Sequence, residues 1–212
     1  MVNSKGPVQI DLELVRRALH GRAWKPATLT GGERFAAVAA ILRERQGDTE
    51  VLLIRRAEHV DDPWSGHMAF PGGRHDPTDL DLVATAIRET EEEVGLGLSR
   101  DHELVGRLDD LPAIARGHRV GLIIATFVFA VDRDVALLLD PKEVSETLWA
   151  PLGPLARGER NTTITWPRDG RALAFPGYDV DGRIVWGITH HLIGALFATL
   201  DGAETTEKVI PQ

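Results

Sequence analysis

The chain has 212 residues, 43% hydrophobic and 26% charged, with 32 acidic against 24 basic side chains and a formal charge of -8, the profile of one globular domain with embellishments. The acid excess argues against general binding to nucleic acid or to an anionic membrane, both of which need a basic footprint. Cysteine is absent, which excludes disulfides, thiolate nucleophiles, zinc fingers and iron–sulfur clusters and leaves metal chemistry to oxygen or imidazole ligands.

The N-terminus lacks the basic and apolar regions of a signal peptide, and no apolar run approaches about 18 residues, so a cytoplasmic location is expected. Asp11 to His20 predicts a packing helix, with Asp11 as N-cap, Leu12, Val15 and Leu19 on one face, and Gly21 as the stop. Phe35 to Leu42 is an apolar run that reads as strand or helix. Beyond the Gln46-Gly47-Asp48 turn signal, Glu50 to Ile54 reads as a strand, and together the two predict a hairpin. Further strands are expected at Glu103 to Arg107, Val120 to Val131 and Glu146 to Ala150, with helices at Leu82 to Val94, ended by Gly95, and at Thr189 to Leu200, ended by Gly202. Mixed strands and helices imply an α/β or α+β fold. No repeat or low-complexity linker divides the chain. The expected organisation is an N-terminal helical extension over 1–30, one main domain over 31–202 and a C-terminal tail over 203–212.

The informative stretch is Phe70 to Leu96, where a Pro-Gly-Gly turn leads into an acidic helix. At about 100° per residue, Val83, Ile87, Thr90 and Val94 form one stripe, while Glu89, Glu92 and Glu93 fall within an arc of roughly 100° on another face and Glu91 lies apart. Like charges at this spacing weaken an isolated helix, so a cation is expected to compensate. Carboxylate oxygens suit Mg2+ or Mn2+, and Mg2+ commonly bridges protein carboxylates and substrate phosphates. The pattern therefore points to phosphate chemistry.

This segment resembles the signature of the Nudix hydrolases, G-x5-E-x7-R-E-U-x-E-E-x-G-U with U aliphatic. Arg88 to Leu96 matches its second half, with Thr90 at the aliphatic position; counting from Gly73, Asp79 fills the first acidic position, and eight residues separate it from Arg88 where the signature has seven. The resemblance implies an α/β/α sandwich with a mixed central sheet and hydrolysis of a nucleoside diphosphate linked to another group. It further implies divalent cations bound by Glu89, Glu92 and Glu93, a ligand from the carbonyl of Gly72, and Arg88 orienting the glutamates. A general base would come from the signature or from a later loop, where Glu143 and Glu146 are the candidates.

The flanks are similar to the coenzyme A pyrophosphatase subgroup. Leu52 to Ala57 and Gly66 to Gly73 resemble its upstream motif, L-L-T-x-R-S followed by G-x-V-x-F-P-G-G, and Asp140 to Val144, Trp149 to Leu152 and Ile184 to Thr189 resemble its later landmarks. The likeness spans roughly residues 35 to 200. Ile54, Ala57 and Met68 depart from the motif, and Glu58 to Ser65 holds Asp61, Asp62 and Trp64 where the subgroup carries an arginine. Arg55, Arg56, His67, Phe70 and Arg74 are the candidates for substrate binding. The resemblance implies coenzyme A or acyl-CoA as substrate and a homodimer as candidate state. ADP-ribose, a dinucleotide or a nucleotide sugar stays open as substrate, as does a non-catalytic nucleotide-sensing module of the same family.

Among other residues, His67, His118, His190 and His191 lack metal-ligand spacing. Trp64, Trp166 and Tyr178 are aromatics that either stack on an adenine or pack. Arg116, His118 and Arg119 form a small basic cluster before a strand.

Overall fold

The computed structural model of the chain describes residues 9–59, 64–98, 103–115, 118–131, 134–168 and 171–207. Helix α1 (Leu12–Leu19) starts at Asp11, whose carboxylate accepts the Leu14 N–H at 2.7 Å. It is followed by β1 (Arg34–Arg45) and β2 (Asp48–Arg56), the expected hairpin. Its two-residue turn, Gln46-Gly47, has positive φ at both positions, the geometry that matches the right-handed strand twist. The apolar run that read as strand or helix is β1, which lies in the middle of the sheet and is buried on both faces, so it shows no polar alternation.

The chain continues through the short strands β3 (Met68–Ala69) and β4 (Gly72–Arg74), then helix α2 (Leu82–Val94), β5 (Glu103–Arg107), β6 (Leu111–Ala115), β7 (His118–Ala130) and β8 (Val144–Pro151). These eight strands form one mixed sheet in the order β3-β2-β1-β7-β5, with β4 against β1, β6 against β7 and β8 against β2. The β1–β7 pair is parallel and the other pairs are antiparallel. Successive residues of a strand point to opposite faces, and β2 alternates accordingly. Leu52 and Ile54 join Ala86 and Val94 of α2 on one face, while Val51 and Leu53 join Leu12 and Val15 of α1 on the other.

After the short helix α3 (Leu152–Ala156), strands β9 (Asn161–Arg168), β10 (Arg171–Val180) and β11 (Arg183–Trp186) form a separate antiparallel sheet, which the sequence reading did not anticipate. The last helix, α4 (Gly187–Glu207), outruns its expected span at both ends and buries Leu192, Ile193 and Leu196 against the α1 face. The result is α2, sheet, and α1 with α4: the expected three layers around a mixed sheet. Among the described residues, no helix is long and apolar enough to cross a membrane.

Capping positions the key helix. Asp81 accepts the Ala84 N–H at 2.8 Å, and Gly95 ends α2 in the left-handed region. Asp81→Ala is expected to cost about 1 kcal/mol, measured as a shift in the denaturant midpoint.

Candidate active site

The carboxylate arc of α2 is graded by depth. Glu93, nearest the sheet, is 2% exposed, the Glu89 side chain 15% and the Glu92 side chain 53%. The rotation places Thr85, Ala86, Thr90 and Val94 inward, and Glu93 comes with them. Thr90, the departure from an aliphatic position, is fully buried and donates its hydroxyl to the Ala86 carbonyl at 2.7 Å, so burial leaves no polar group unpaired.

The Pro-Gly-Gly turn makes room for these carboxylates. Gly72 has φ 144°, and a Cβ there would lie 2.3 Å from the Ala37 carbonyl oxygen and 2.6 Å from Val38 Cα, because β4 presses directly on β1. Its N–H donates to Glu93 Oε2 at 2.8 Å. At Gly73 a Cβ would lie 2.3–2.6 Å from the Glu89 carboxylate, which rests against that backbone. The two glycines thus serve different ends.

Arg88 ties the cluster together. Its Nε and Nη2 donate to Asp79 Oδ1 and Oδ2 at 2.9 and 3.0 Å, and its Nη1 lies 2.9 Å from both Glu89 Oε1 and Glu92 Oε2. Asp79 also accepts the Thr85 hydroxyl at 2.8 Å, and His75 Nδ1 lies 2.9 Å from that same hydroxyl. The Arg88 hydrogen bonds hold Asp79 well below the usual carboxylate range, and Asp79 in turn raises Arg88. The extra residue of the signature lies between Asp79 and Arg88. Ahead of it, Asp76 to Asp79 closes on itself, with the Asp79 N–H on the Asp76 carbonyl at 2.9 Å. Asp79→Asn is expected to cost about 1.5–3 kcal/mol, the range for hydrogen bonds to charged groups. Measured by thermal melting, that is a fall of several degrees in a chain of this length.

In this pocket burial and mutual repulsion outweigh the nearby cations. Burial, then the Glu89 and Glu143 charges, pushes Glu93 up to about 8, against the lowering effects of the Gly72 N–H and Arg56. Glu89 is raised, first by burial, with Glu92 and Glu143 adding, against its hydrogen bond and attraction to Arg88. Glu143, at the turn before β8, therefore stands close enough to be felt by both glutamates. Glu146 does not join them; it pairs with Arg183 at 2.8 Å.

Arg56 faces Glu93, whereas Arg55, the preceding residue of β2, points to the opposite face of the sheet, where it lines a cleft with His67. Phe70 is 3% exposed and packs in the core on the α1 face, which leaves its side chain no surface for a ligand. Arg74 is exposed, and its carbonyl accepts from Arg88 at 3.3 Å. Trp166 stands in the cleft with His67, while Tyr178 packs on His190, with ring centroids 4.6 Å apart. Asp61, Asp62 and Arg116, and the side chains of His118 and Arg119, lie outside the described residues. The sequence reading missed His75 and Thr85, whose link to Asp79 depends on loop conformation. It also missed Arg183.

The donor set fits a hard divalent cation. One buried and one half-buried carboxylate raised by desolvation, with a third at the solvent edge, offer oxygen ligands whose charge an ion would offset. Among the described residues no three His, Asp or Glu side chains close around one point; Mg2+ is commonly held by one or two carboxylates together with substrate phosphates and water.

Comparison with known proteins agrees with this geometry. A family model described as the NUDIX domain matches residues 33–168. The uncharacterized Nudix hydrolase NudL of Yersinia enterocolitica is 30% identical over 174 residues, 81% of this chain and 84% of that protein. An uncharacterized protein of Schizosaccharomyces pombe is 41% identical over 116 residues; these are 54% of this chain and 35% of that protein, so the chain spans about a third of that relative's length. Among solved structures, a MutT/nudix family protein from Enterococcus faecalis has a TM-score of 0.54 at 17% identity, over 86% of this chain and 66% of that one, a likeness of fold. With its glutamate helix, its glycine turn and a family match across 33–168, the chain belongs to the Nudix hydrolase family.

Proposed function

We propose that the chain hydrolyses a diphosphate bond in a nucleoside diphosphate derivative with the help of Mg2+ or Mn2+. The substrate in this reading is coenzyme A or acyl-CoA, cleaved to 3′,5′-ADP and (acyl-)4′-phosphopantetheine. The observation that carries it is the Glu89–Glu93 pair, sunk beside the Gly72-Gly73 backbone and braced by Arg88. Glu89, Glu92 and Glu93 would hold the cation, with the Gly72 carbonyl as a further ligand. When bound, the ion supplies charge neutralisation of the diphosphate and acidifies a water. Arg88 holds Glu89 and Glu92 in place, Asp79 fixes Arg88, and Arg56 faces the same cluster. Arg74, at the mouth of the turn, is the further candidate for phosphate contact.

In the reaction a water oxygen bonds to one phosphorus, the anhydride P–O bond breaks, and the water's proton passes to a base. Glu143 takes that role here, because its charge already reaches Glu89 and Glu93, while Glu146 is engaged with Arg183. Glu143→Gln is expected to lower kcat by about 10²–10⁴, and Glu146→Gln by less than about tenfold. Equal losses in the two variants would remove Glu143 from the role. The proposed location is the cytoplasm, and the proposed partner a small molecule.

The substrate is tested by incubating the protein with coenzyme A, ADP-ribose, diadenosine polyphosphates and UDP-sugars, with and without Mg2+, and identifying products. Coenzyme A should be cleaved fastest. Faster cleavage of ADP-ribose, a dinucleotide or a nucleotide sugar would move the assignment to that substrate, and binding of every compound without cleavage would favour a sensing module.

A further inference from the structure

The cleft on the face opposite the glutamates has no part in the chemistry described so far, yet it is built from both sheets. Its volume is about 390 Å3, within the range of roughly 300–1,000 Å3 of small-molecule sites. One wall is β2 with the segment before β3, presenting Arg55, Glu58 and His67; the other is the appended sheet, presenting Trp166, Arg183 and Trp186. The rings form a continuous aromatic shelf: His67 to Trp186 4.9 Å between centroids, Trp166 to Trp186 5.1 Å, and His67 edge-on to Trp166 at 5.8 Å. Trp166 is nevertheless 43% exposed, so a large ring surface is ordered by its neighbours but left in contact with water. Around the shelf stand guanidinium donors and carboxylate acceptors in balanced pairs, Arg55 with Glu58 at 3.4 Å and Arg183 with Glu146 at 2.8 Å. Such a balance offers no net attraction to a phosphate. It does offer an apolar face with hydrogen-bond donors and acceptors at its rim, which is what a planar heterocycle requires.

The cleft also lies within reach of the carboxylates. Arg55 and Arg56 are adjacent and face opposite sides of the sheet at the end of β2. His67 and Gly72 are five residues apart, a span of at most about 17 Å. A substrate wrapping the sheet edge at β3 would place one end in the cleft and its diphosphate at Gly72 and Glu93.

We propose that this cleft is the base-binding subsite, in which the nucleobase of the substrate stacks on the Trp166 face of the His67–Trp166–Trp186 shelf. The assignment rests on the reading of the chain as a nucleoside diphosphate hydrolase, but it is tested without turnover or metal. AMP is titrated into the full chain in EDTA, with tryptophan fluorescence as the signal and ribose 5-phosphate as the control that lacks only the base. AMP should bind and quench fluorescence, and ribose 5-phosphate should not. Trp166→Ala should weaken AMP at least about tenfold, the effect of losing one stacked base contact, while Trp166→Phe should restore most of the affinity and show that the loss is not one of folding. No AMP binding, or equal binding by the wild type and Trp166→Ala, overturns the proposal. Either result leaves the hydrolase reading to its own assay with Mg2+. Conversely, AMP binding by a protein that cleaves no diphosphate would sink that reading and keep the subsite.

Discussion

Replacing Glu93 with Gln is expected to lower Mg2+-dependent diphosphate hydrolysis by about 10³ or more and, in the same variant, to stabilise the metal-free fold at alkaline pH. The first effect follows from removing a buried anionic ligand: metal-assisted charge stabilisation amounts to several kcal/mol, and each 1.36 kcal/mol is tenfold in rate. The second follows from linkage. Glu93 rises from 4.5 to about 8 in the folded chain, first because burial penalises its charged form. Between these values the native state keeps a proton that the unfolded chain has released. Its contribution is therefore present at acid pH and lost as pH rises through about 8, at about 1.4 kcal/mol per pH unit. Gln is neutral throughout and removes that slope. Melting temperatures in EDTA between pH 5 and 8.5 should fall more steeply for the wild type than for Glu93→Gln, and Mg2+ should raise the wild type most at the alkaline end. Parallel curves would show that the Glu93 charge is already compensated within the protein.

The neighbouring glycines should fail in different ways. Gly72→Ala places a methyl group 2.3 Å from the Ala37 carbonyl oxygen and 2.6 Å from Val38 Cα, at a φ of 144°. Neither backbone atom can swing aside, and the clash with the added backbone strain should cost roughly 2–5 kcal/mol. That is a large share of the roughly 5–15 kcal/mol margin of natural domains. Gly73→Ala meets a side chain, the Glu89 carboxylate at 2.3–2.6 Å, which can rotate away. Its stability should change by no more than about 1 kcal/mol, while hydrolysis falls about 10²-fold through the displaced ligand, since a misplacement of about 1 Å costs that much. Urea denaturation separates the two. Equal stability losses would mean that both glycines serve only the packing of β4 on β1.

The glutamate arc was legible because helical periodicity needs nothing beyond the sequence: with α2 as a helix, Glu89, Glu92 and Glu93 had to share a face. The order of their depths was not, since it depends on where the sheet lies. The Asp79–Arg88 pair was visible only as an acidic position out of register, and the Asp76–Asp79 turn that closes it is a matter of loop hydrogen bonds. Glu143 and Glu146 read alike in the sequence and part in the structure, because Glu146 lies within β8, opposite Arg55 and paired with Arg183, while Glu143 sits in the turn before the strand. The second sheet escaped because the apolar alternation of β9 amounts only to Ile164 and Trp166, neither of them buried. Its readable signal was Asp181-Gly182, a two-residue turn with positive φ at both positions joining β10 to β11. With that sheet unrecognised, nothing in the sequence joined Trp166 to Trp186. Phe70, quoted beside the glycines as a substrate contact, proved to be a core residue, since its motif does not say which face of the sheet it fills.

The central claim is that Glu89, Glu92 and Glu93 form a metal-dependent centre for diphosphate cleavage. It is tested most directly by following coenzyme A and the other diphosphates with wild-type protein in Mg2+, after EDTA, and after Mg2+ is restored. The account predicts cleavage at the diphosphate that EDTA abolishes and Mg2+ recovers, with Glu93→Gln inactive throughout. Diphosphates left intact in Mg2+, or cleavage that survives both EDTA and the loss of Glu93, would contradict it.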